Sequence, residues 1–302
     1  LESIYEHGRD YAIMNYIIAK LKNDRTRSII FMIIAALLWS TGGLLLKSLD
    51  LNPLAVAGSR SLVAALLMLA IIKKPSLKFD RYKLGFAIAF AATMILYIAG
   101  NKLTTAANAI MLQYTAPIYV ALLGAWFLNE PTSRLDWVAI FLTVGGMFLF
   151  FLDDLTPGNI IGNILSILSG VSFAFVVMML RKQKDQSPIE LVFWGNLLTA
   201  AIGVPFLPGS APDQSDLVML VIIGVFQIGL PYVFFAYGTK HVSALEAVLI
   251  PVLEPILNPV WVFLLMGEKP GRFALLGGFI VLLAIVGRGV ILTLKTKKNP
   301  PA

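Results

Sequence analysis

The chain has 302 residues, of which 58% are hydrophobic and only 14% are charged, and its mean hydropathy is +0.82. Soluble domains carry about 25% charged residues, so this composition excludes a soluble globular protein. Cysteine is absent, which excludes disulfides, zinc–thiolate sites and thiol nucleophiles. Since no metalloprotease, phosphate-loop or paired-carboxylate motif occurs either, we expect no enzyme activity, no cofactor and no bound metal.

Apolar segments follow one another along the chain, each about as long as the roughly 20 residues that cross a bilayer. Ten are predicted, at residues 28–47, 54–72, 84–100, 106–128, 135–152, 160–180, 189–207, 217–237, 243–266 and 273–294. Residues 1–26 are expected to form a cytoplasmic tail or a helix lying on the inner leaflet. The predicted fold class is therefore an all-α polytopic membrane protein with ten transmembrane helices.

A pattern in predicted spans three and four returns at one fixed offset in spans eight and nine. The identical pairs are Gly100/Gly238, Lys102/Lys240, Ala106/Ala244, Ala109/Ala247, Pro117/Pro255 and Glu130/Glu268. Each copy holds five spans, and because five is odd the second copy must cross the bilayer in the opposite sense. This predicts a first repeat at residues 27–155, a second at 156–298 and a short tail at 299–302. Inverted repeats of this kind are typical of secondary transporters.

Basic residues fix the predicted orientation, because Lys and Arg remain in cytoplasmic loops. With both termini inside, the cytoplasmic segments collect 18 basic residues and the outer loops only 4. The net charge of +7 is explained by this asymmetry. No nucleic-acid partner is needed to account for it.

Short motifs recur in a fixed order along the chain. They are Leu37 to Thr41 with Lys47, Pro53 with Arg60, Pro117 with Glu130, and Leu253 to Pro255 with Glu268. Together they resemble the EamA type of the drug/metabolite transporter superfamily, over residues 28 to 294. The resemblance implies a ten-span transporter with a central substrate cavity, and relatives that export amino acids and other small metabolites.

Predicted span nine carries Pro251, Pro255 and Pro259 at intervals of four, so one stripe lacks three backbone donors and should kink. Glu254 lies between two of these prolines, roughly 16 Å from the inner edge, with Asn258 one turn further on the same face. A carboxylate at this depth costs on the order of 2.5–3.5 kcal/mol, so it should face a cavity. Glu254 is a candidate coupling acid, a counter-charge for a cationic substrate group, or a structural acceptor for a freed backbone N–H.

Two arginines lie inside predicted spans. Arg60 either snorkels roughly 9 Å to the outer interface or holds a carboxylate or phosphate of the substrate. Arg288, near the inner end of span ten, is expected to snorkel. Glu130 and Glu268, at matching helix ends, are expected to pair with Arg134, Lys269 or Arg272.

The remaining candidates for the substrate site are aromatic and amide residues inside apolar stretches. They are Trp39, Tyr97, Gln113, Tyr114, Trp194, Asn196, Gln227, Tyr232 and Tyr237. An amide that faced lipid would be unsatisfied, which favours the cavity for Gln113 and Gln227. Tyr232 and Tyr237 have an alternative place in the inner interfacial belt, and Trp39 has an alternative role in packing.

These features favour a carrier of small polar metabolites that works by alternating access and exports amino acids or related zwitterions. The alternative is uptake of a choline-like cation, enclosed by Trp39, Trp194 and tyrosines and neutralised by Glu254. An intramembrane enzyme acting on lipid is disfavoured by the repeat and by the missing catalytic groups. The expected partners are a small-molecule substrate, the bilayer of the inner or plasma membrane and a coupling proton at Glu254, in a monomer or homodimer.

Overall fold

The computed structural model describes residues 24–41, 49–78, 80–155, 157–184, 187–266 and 271–298, and every regular element in these ranges is helical. The α-helices are α1 (Asp24–Trp39), α2 (Pro53–Ile72), α3 (Arg81–Leu103), α4 (Ala106–Gln113), α5 (Ala116–Leu128), α6 (Arg134–Phe150), α7 (Ile160–Lys182), α8 (Pro188–Gly203), α9 (Gln214–Ile223), α10 (Leu230–Gly238), α11 (Ala244–Leu249), α12 (Leu253–Met266) and α13 (Arg272–Lys298). Residues 1–23 of the tail predicted at 1–26, the predicted tail at 299–302, Lys47 and Glu268 lie outside the described residues.

Capping side chains start several of these helices. Asn52 precedes Pro53 and accepts from the N–H of Leu54, which satisfies a free donor in the first turn of α2. Ser133 and Asp136 form a reciprocal capping box at α6, and Ser243 does the same with Glu246 at α11. The two boxes also fix the carboxylates of Asp136 and Glu246 at helix starts, where they accept further donors.

The outer surface of the bundle is apolar. Seven helical stretches of the described chain are long and apolar enough to cross a membrane: Pro53–Ile72, Arg81–Leu103, Ala106–Leu128, Ile160–Lys182, Pro188–Phe206, Gln214–His241 and Arg272–Leu292. Large side chains such as Trp126, which is 79% exposed, and Phe141 point outwards. Such a surface suits lipid, because water would not tolerate so many exposed apolar groups. The count of ten spans and the inverted orientation remain predictions.

The two halves of the chain interlock. The most extensive helix contacts join α3 to α7 and α8, α2 to α8, α6 to α13, and α1 to α10, and each pair combines a helix before residue 155 with one after it. At the crossing of α2 and α8, a Cβ placed on Gly58 would lie 2.4 Å from the backbone nitrogen of Val204 and 2.5 Å from Gly203. Only glycine permits this approach of two backbones.

Three helices are interrupted in mid-course. The α4–α5 rod breaks at Tyr114, a six-residue π-helical segment at Gly224–Gly229 separates α9 from α10, and a 3₁₀ turn at Ile250–Val252 separates α11 from α12. At the end of the π-helical segment, the N–H of Leu230 donates to the carbonyl of Val225, five residues earlier. Proline accompanies each break, since it removes a backbone donor. The predicted interruption of span nine is thus confirmed, and the three breaks lie around one cavity.

Candidate functional site

A cavity lies in the interior between the two halves. The described residues that line it are Trp39, Ser40, Arg60, Met94, Tyr97, Ile110, Gln113, Tyr114, Phe173, Gln227, Ile228, Tyr232, Pro251, Glu254 and Pro255. Eight of the residues predicted for the substrate site are therefore brought together: Trp39, Arg60, Tyr97, Gln113, Tyr114, Gln227, Tyr232 and Glu254. Arg60 and Glu254 are the formal charges among these lining residues, so the wall carries one positive and one negative group.

Glu254 lies in the first turn of α12, directly after the break in predicted span nine. The hydroxyl of Tyr114 donates to Oε2 of Glu254 at 2.7 Å and also lies 3.0 Å from the carbonyl oxygen of Pro251. That carbonyl has lost its α-helical partner, because Pro255, four residues later, has no N–H. Within the described residues, Oε1 of Glu254 accepts no hydrogen bond. The carboxylate is held by one neutral donor and keeps an open acceptor in the cavity.

Arg60 lines the same cavity from α2. Its side chain is buried, with 2% of its surface exposed, which excludes the predicted snorkelling because a snorkelling guanidinium reaches water. Nη1 donates to Oε1 of Gln227 over 3.4 Å and Nη2 to Sδ of Met94 over 3.8 Å, and both contacts are long. Nε has no partner, and no carboxylate of the described chain pairs with this guanidinium.

Aromatic rings form one side of the cavity. The ring of Tyr232 lies 5.1 Å from that of Trp39 and 4.8 Å from that of Phe90, both edge-on, and Trp39 also contacts Phe235 at 5.2 Å. Tyr232 is only 3% exposed, so the interfacial belt is wrong for this residue. Trp39 lines the cavity and packs in the core at the same time, so both of its proposed roles apply.

Polar side chains tie the cavity wall to its surroundings. Nε2 of Gln113 donates to Oγ of Ser169 at 2.9 Å, and Nε1 of Trp261 donates to Oγ of Ser40 at 2.8 Å. Ser40, Met94 and Phe173 are lining residues that sequence reasoning missed. Small and apolar side chains carry no depth signal within a membrane span, although Ser40 belongs to the Trp-Ser-Thr motif quoted above.

Three predicted site residues lie away from the cavity, and a fourth is not placed. Trp194 packs against the main core with its ring 5.1 Å from Phe193, and Asn196 is fully buried with Nδ2 donating to the carbonyl of Val192 at 3.0 Å. Both lie on α8, which packs against α2 and α3. Tyr237 is 39% exposed beside Lys240, as the belt alternative expects. The side chain of Asn258 lies outside the described part of the chain.

A second cluster of polar residues, away from the cavity, joins the two halves by ion pairs. We call it the ion-paired end, and it consists of Arg25, Glu130, Asp136, Arg181, Glu246 and Arg288. Nε of Arg288 lies 2.7 Å from Asp136 and its Nη1 lies 3.4 Å from Glu246, while Arg25 contacts Glu246 at 2.5 Å. The predicted snorkelling of Arg288 is wrong, since the residue is 7% exposed and paired with two carboxylates.

Glu130 also differs from expectation. Its Oε1 accepts from Nε of Arg181 at 2.8 Å and its Oε2 accepts from the backbone N–H of Ala244 at 2.9 Å. The predicted pairing with Arg134 is wrong, because the turn before α6 directs Glu130 towards α7 and the start of α11 in the other half. The ion pairs of this end therefore connect residues before 155 with residues after 160.

The sequence pattern of the EamA-like transporter family matches residues 26–152 and again residues 160–288. The chain belongs to the EamA-like transporter family. An EamA-like transporter with two family repeats is a multi-pass membrane protein, in agreement with the apolar helices and the lipid-suited surface described above.

Relatives of this EamA-like transporter agree on the class and differ in the solute. A transporter of Archaeoglobus fulgidus named as uncharacterized is 27% identical over 84% of this chain and 93% of its own length. An S-adenosylmethionine uptake transporter of Rickettsia bellii is 22% identical over 69% of this chain and 72% of its own. A pseudopaline exporter of Pseudomonas aeruginosa is 20% identical over 75% and 82%.

A solved crystal structure has the same fold. It superposes on 88% of this chain and 98% of its own with a TM-score of 0.77, at 16% sequence identity.

Proposed function

We propose that this EamA-like transporter moves amino acids or related small zwitterions out of the cell by alternating access. The observation that carries the proposal is the cavity between the halves, whose described wall holds one cation, Arg60, and one carboxylate, Glu254, with aromatic rings between the helices. A zwitterion complements such a pair of opposite charges, whereas a purely apolar solute would leave both charges without partners.

The relatives support transport but not one direction. One is named for uptake of S-adenosylmethionine and another for export of pseudopaline. Export is proposed here from the resemblance to exporters of amino acids. The family repeats and transporter names also support a non-enzymatic function.

Proton coupling is part of the proposal, and Tyr114 gives it a physical basis. A tyrosine hydroxyl has a single proton to donate. When Glu254 is ionised, Tyr114 donates to Oε2; when Glu254 carries a proton, the carboxyl donates to Tyr114, which then donates to the carbonyl of Pro251. Because Pro251 belongs to the helix break, the protonation state of Glu254 is coupled to the geometry of the interrupted helix.

Access from the ion-paired end requires that its ion pairs separate. The contacts Arg25–Glu246, Asp136–Arg288 and Glu130–Arg181 each join the two halves, so relative movement of the halves breaks them together. In the predicted orientation this end is cytoplasmic. The described state would therefore be closed on the inside, and the inward-open state would exchange these pairs for water.

Orientation is tested by reporter fusions. With both termini cytoplasmic, a fusion at Lys74 reports from the cytoplasm and a fusion at Asp213 reports from outside. An external signal at Lys74 would contradict the inverted repeat, since that loop would then change the span count of one repeat alone.

Transport itself is tested in liposomes. Purified protein should exchange one or more labelled L-amino acids across the bilayer, with choline included to test uptake of a cation. Trp39 and Tyr232 favour this second solute, because their rings line the same cavity as Glu254 and can enclose a quaternary ammonium. Exchange of choline without exchange of any amino acid would replace the zwitterion proposal with the cation alternative.

The candidate roles of Glu254 are distinguished by the variant Glu254→Gln, which keeps the shape of the side chain and fixes it in a neutral form. If Glu254 carries the coupling proton, transport driven by a pH gradient falls while exchange without a gradient survives. If it also neutralises the ammonium group of the solute as a counter-charge, binding itself is lost and exchange falls with it. Glu190→Gln is the matched control, because Glu190 pairs with Lys83 away from the cavity. Unchanged binding, exchange and gradient dependence in Glu254→Gln would leave Glu254 a structural acceptor.

A further inference from the structure

Arg60 is the charged group of the cavity that the protein leaves incompletely bonded. Its guanidinium has five N–H donors in a planar fork, and two of them contact neutral acceptors, at 3.4 Å and 3.8 Å. Nε has no partner in the described structure. A buried cation without an ionic partner is costly, and the fold retains one here in the wall of a cavity.

The surroundings of Arg60 do not supply the missing anion. Gln227 and Met94 are neutral, and the other charged lining residue, Glu254, forms no ion pair with Arg60 in the described structure. Glu254 instead takes the Tyr114 hydroxyl and keeps Oε1 open. The two opposite charges therefore form no ion pair with each other in the described structure, and each keeps free bonding capacity.

We infer that Arg60 is the receptor for the carboxylate of the transported solute, with the ammonium group of the same solute directed to Glu254. This inference rests on the proposed function and names the group that selects the substrate. A planar carboxylate matches the guanidinium fork and accepts two parallel hydrogen bonds. The long contacts to Gln227 and Met94 are the ones that such a ligand would replace.

Charge balance selects a carboxylate over a phosphate. A carboxylate and an ammonium together neutralise Arg60 and Glu254, so the loaded cavity carries no net charge. A phosphate dianion would add two negative charges to that of Glu254, and Arg60 is the sole cation among the described lining residues. An excess charge in a site lined by buried side chains is disfavoured.

The first test uses the unaltered protein and needs no variant. Binding of the twenty L-amino acids is measured by thermal shift and calorimetry in detergent, and each binder is compared with its carboxamide and with the amine that lacks the carboxylate. We expect the amide and the amine to bind at least about 30-fold more weakly, because loss of one partner of a buried charge pair costs that much or more. Equal binding of acid and amide would overturn the inference.

Two variants separate a receptor from a structural residue. Arg60→Gln should bind acid and amide with the same affinity, whereas Gln227→Met removes the neighbour of Arg60 and should keep the preference for the acid. If Arg60 served only to hold Gln227, the two variants would lose the preference equally. Arg60→Lys keeps the charge without the fork and should give an intermediate preference.

The outcomes also distinguish this inference from the proposed function. Exchange of choline or another amine in liposomes, with no binding of any carboxylate, overturns the role of Arg60 and leaves transport intact. Absence of flux for every solute of the panel overturns the proposed function, and the inference with it.

Discussion

Two buried arginines show how differently this protein treats charge in its two polar regions. Arg288, at the ion-paired end, meets Asp136 and Glu246, so the cost of removing its charge from water is offset within the protein. Arg60, in the cavity, is still more buried, and among the described residues its guanidinium hydrogen-bonds only Gln227 and Met94. Burial alone therefore does not identify a functional charge, whereas burial without a counter-ion does.

The largest expected effect is on stability. Arg288→Met leaves Asp136 without its ion-pair partner and Glu246 with Arg25 alone, and it should destabilise the fold by about 3–5 kcal/mol. Arg60→Met, which removes a cation that has no ionic partner, should change stability far less or increase it. Chemical unfolding of the purified variants in detergent, followed by tryptophan fluorescence, measures both. An equal loss in the two variants would break the comparison, because Arg60 would then be part of the structural framework.

Trp39→Ala comes next. Its ring contacts Tyr232 and Phe235 in the core, and a large-to-small change of this kind costs about 3–5 kcal/mol if the site does not collapse. Because Trp39 also lines the cavity, we expect transport to fall further than folded yield. Trp39→Phe keeps a ring in the cluster and serves as the matched variant. Loss of transport in proportion to loss of folded protein would assign Trp39 to packing alone.

A smaller effect is expected for Tyr114→Phe. The change deletes the hydroxyl that bonds Glu254 and lies at the Pro251 carbonyl, and an abandoned buried acceptor costs about 1–3 kcal/mol. Coupling to a pH gradient should be lost at the same time. Tyr119→Phe is the control, since its hydroxyl has only a 3.4 Å contact with Thr115. Normal gradient dependence in Tyr114→Phe would exclude the proposed proton exchange between Tyr114 and Glu254.

The smallest effect on stability is expected for an exposed ion pair, in contrast to the buried pairs of Arg288. Arg27 pairs with Asp24 on the exposed first turn of α1. Water screens such a pair, and Arg27→Ala should change stability by about 0–1 kcal/mol in the same unfolding assay. A loss as large as that of Arg288→Met would mean that exposure does not separate the two pairs.

Much of the helical pattern was predictable, because apolar length alone indicates a span. The prediction of 54–72 corresponds to α2 at Pro53–Ile72, and 160–180 to α7 at Ile160–Lys182. The π segment was not predictable, since its composition is as apolar as that of its neighbours. The interruption at Ile250–Val252 was predictable, because proline lacks a backbone N–H donor in any tertiary structure.

The candidate site was predictable in membership and not in pairing. Depth within a span indicated Glu254, Gln113 and Gln227, since polar groups there must avoid lipid. Partners were beyond reach, because Arg288 and Asp136 are separated by 152 positions along the chain. For the same reason Trp194 and Asn196 were assigned to the cavity, although their helix packs on α2 and α3 instead.

The π-helical segment at Gly224–Gly229 influences which side chains of its helix face the cavity. A π turn accommodates one more residue than an α turn, so every side chain of α10 is displaced around the axis relative to an uninterrupted continuation of α9. Gln227, within the segment, and Tyr232, on α10 directly after it, both line the cavity. Conversion of Gly224–Gly229 to a regular α-helix at the same chain length would rotate the side chains of α10 about the helix axis by about 100°. The rotation of the side chains about the axis of this helix, as much as their identity, therefore determines which of them face the solute.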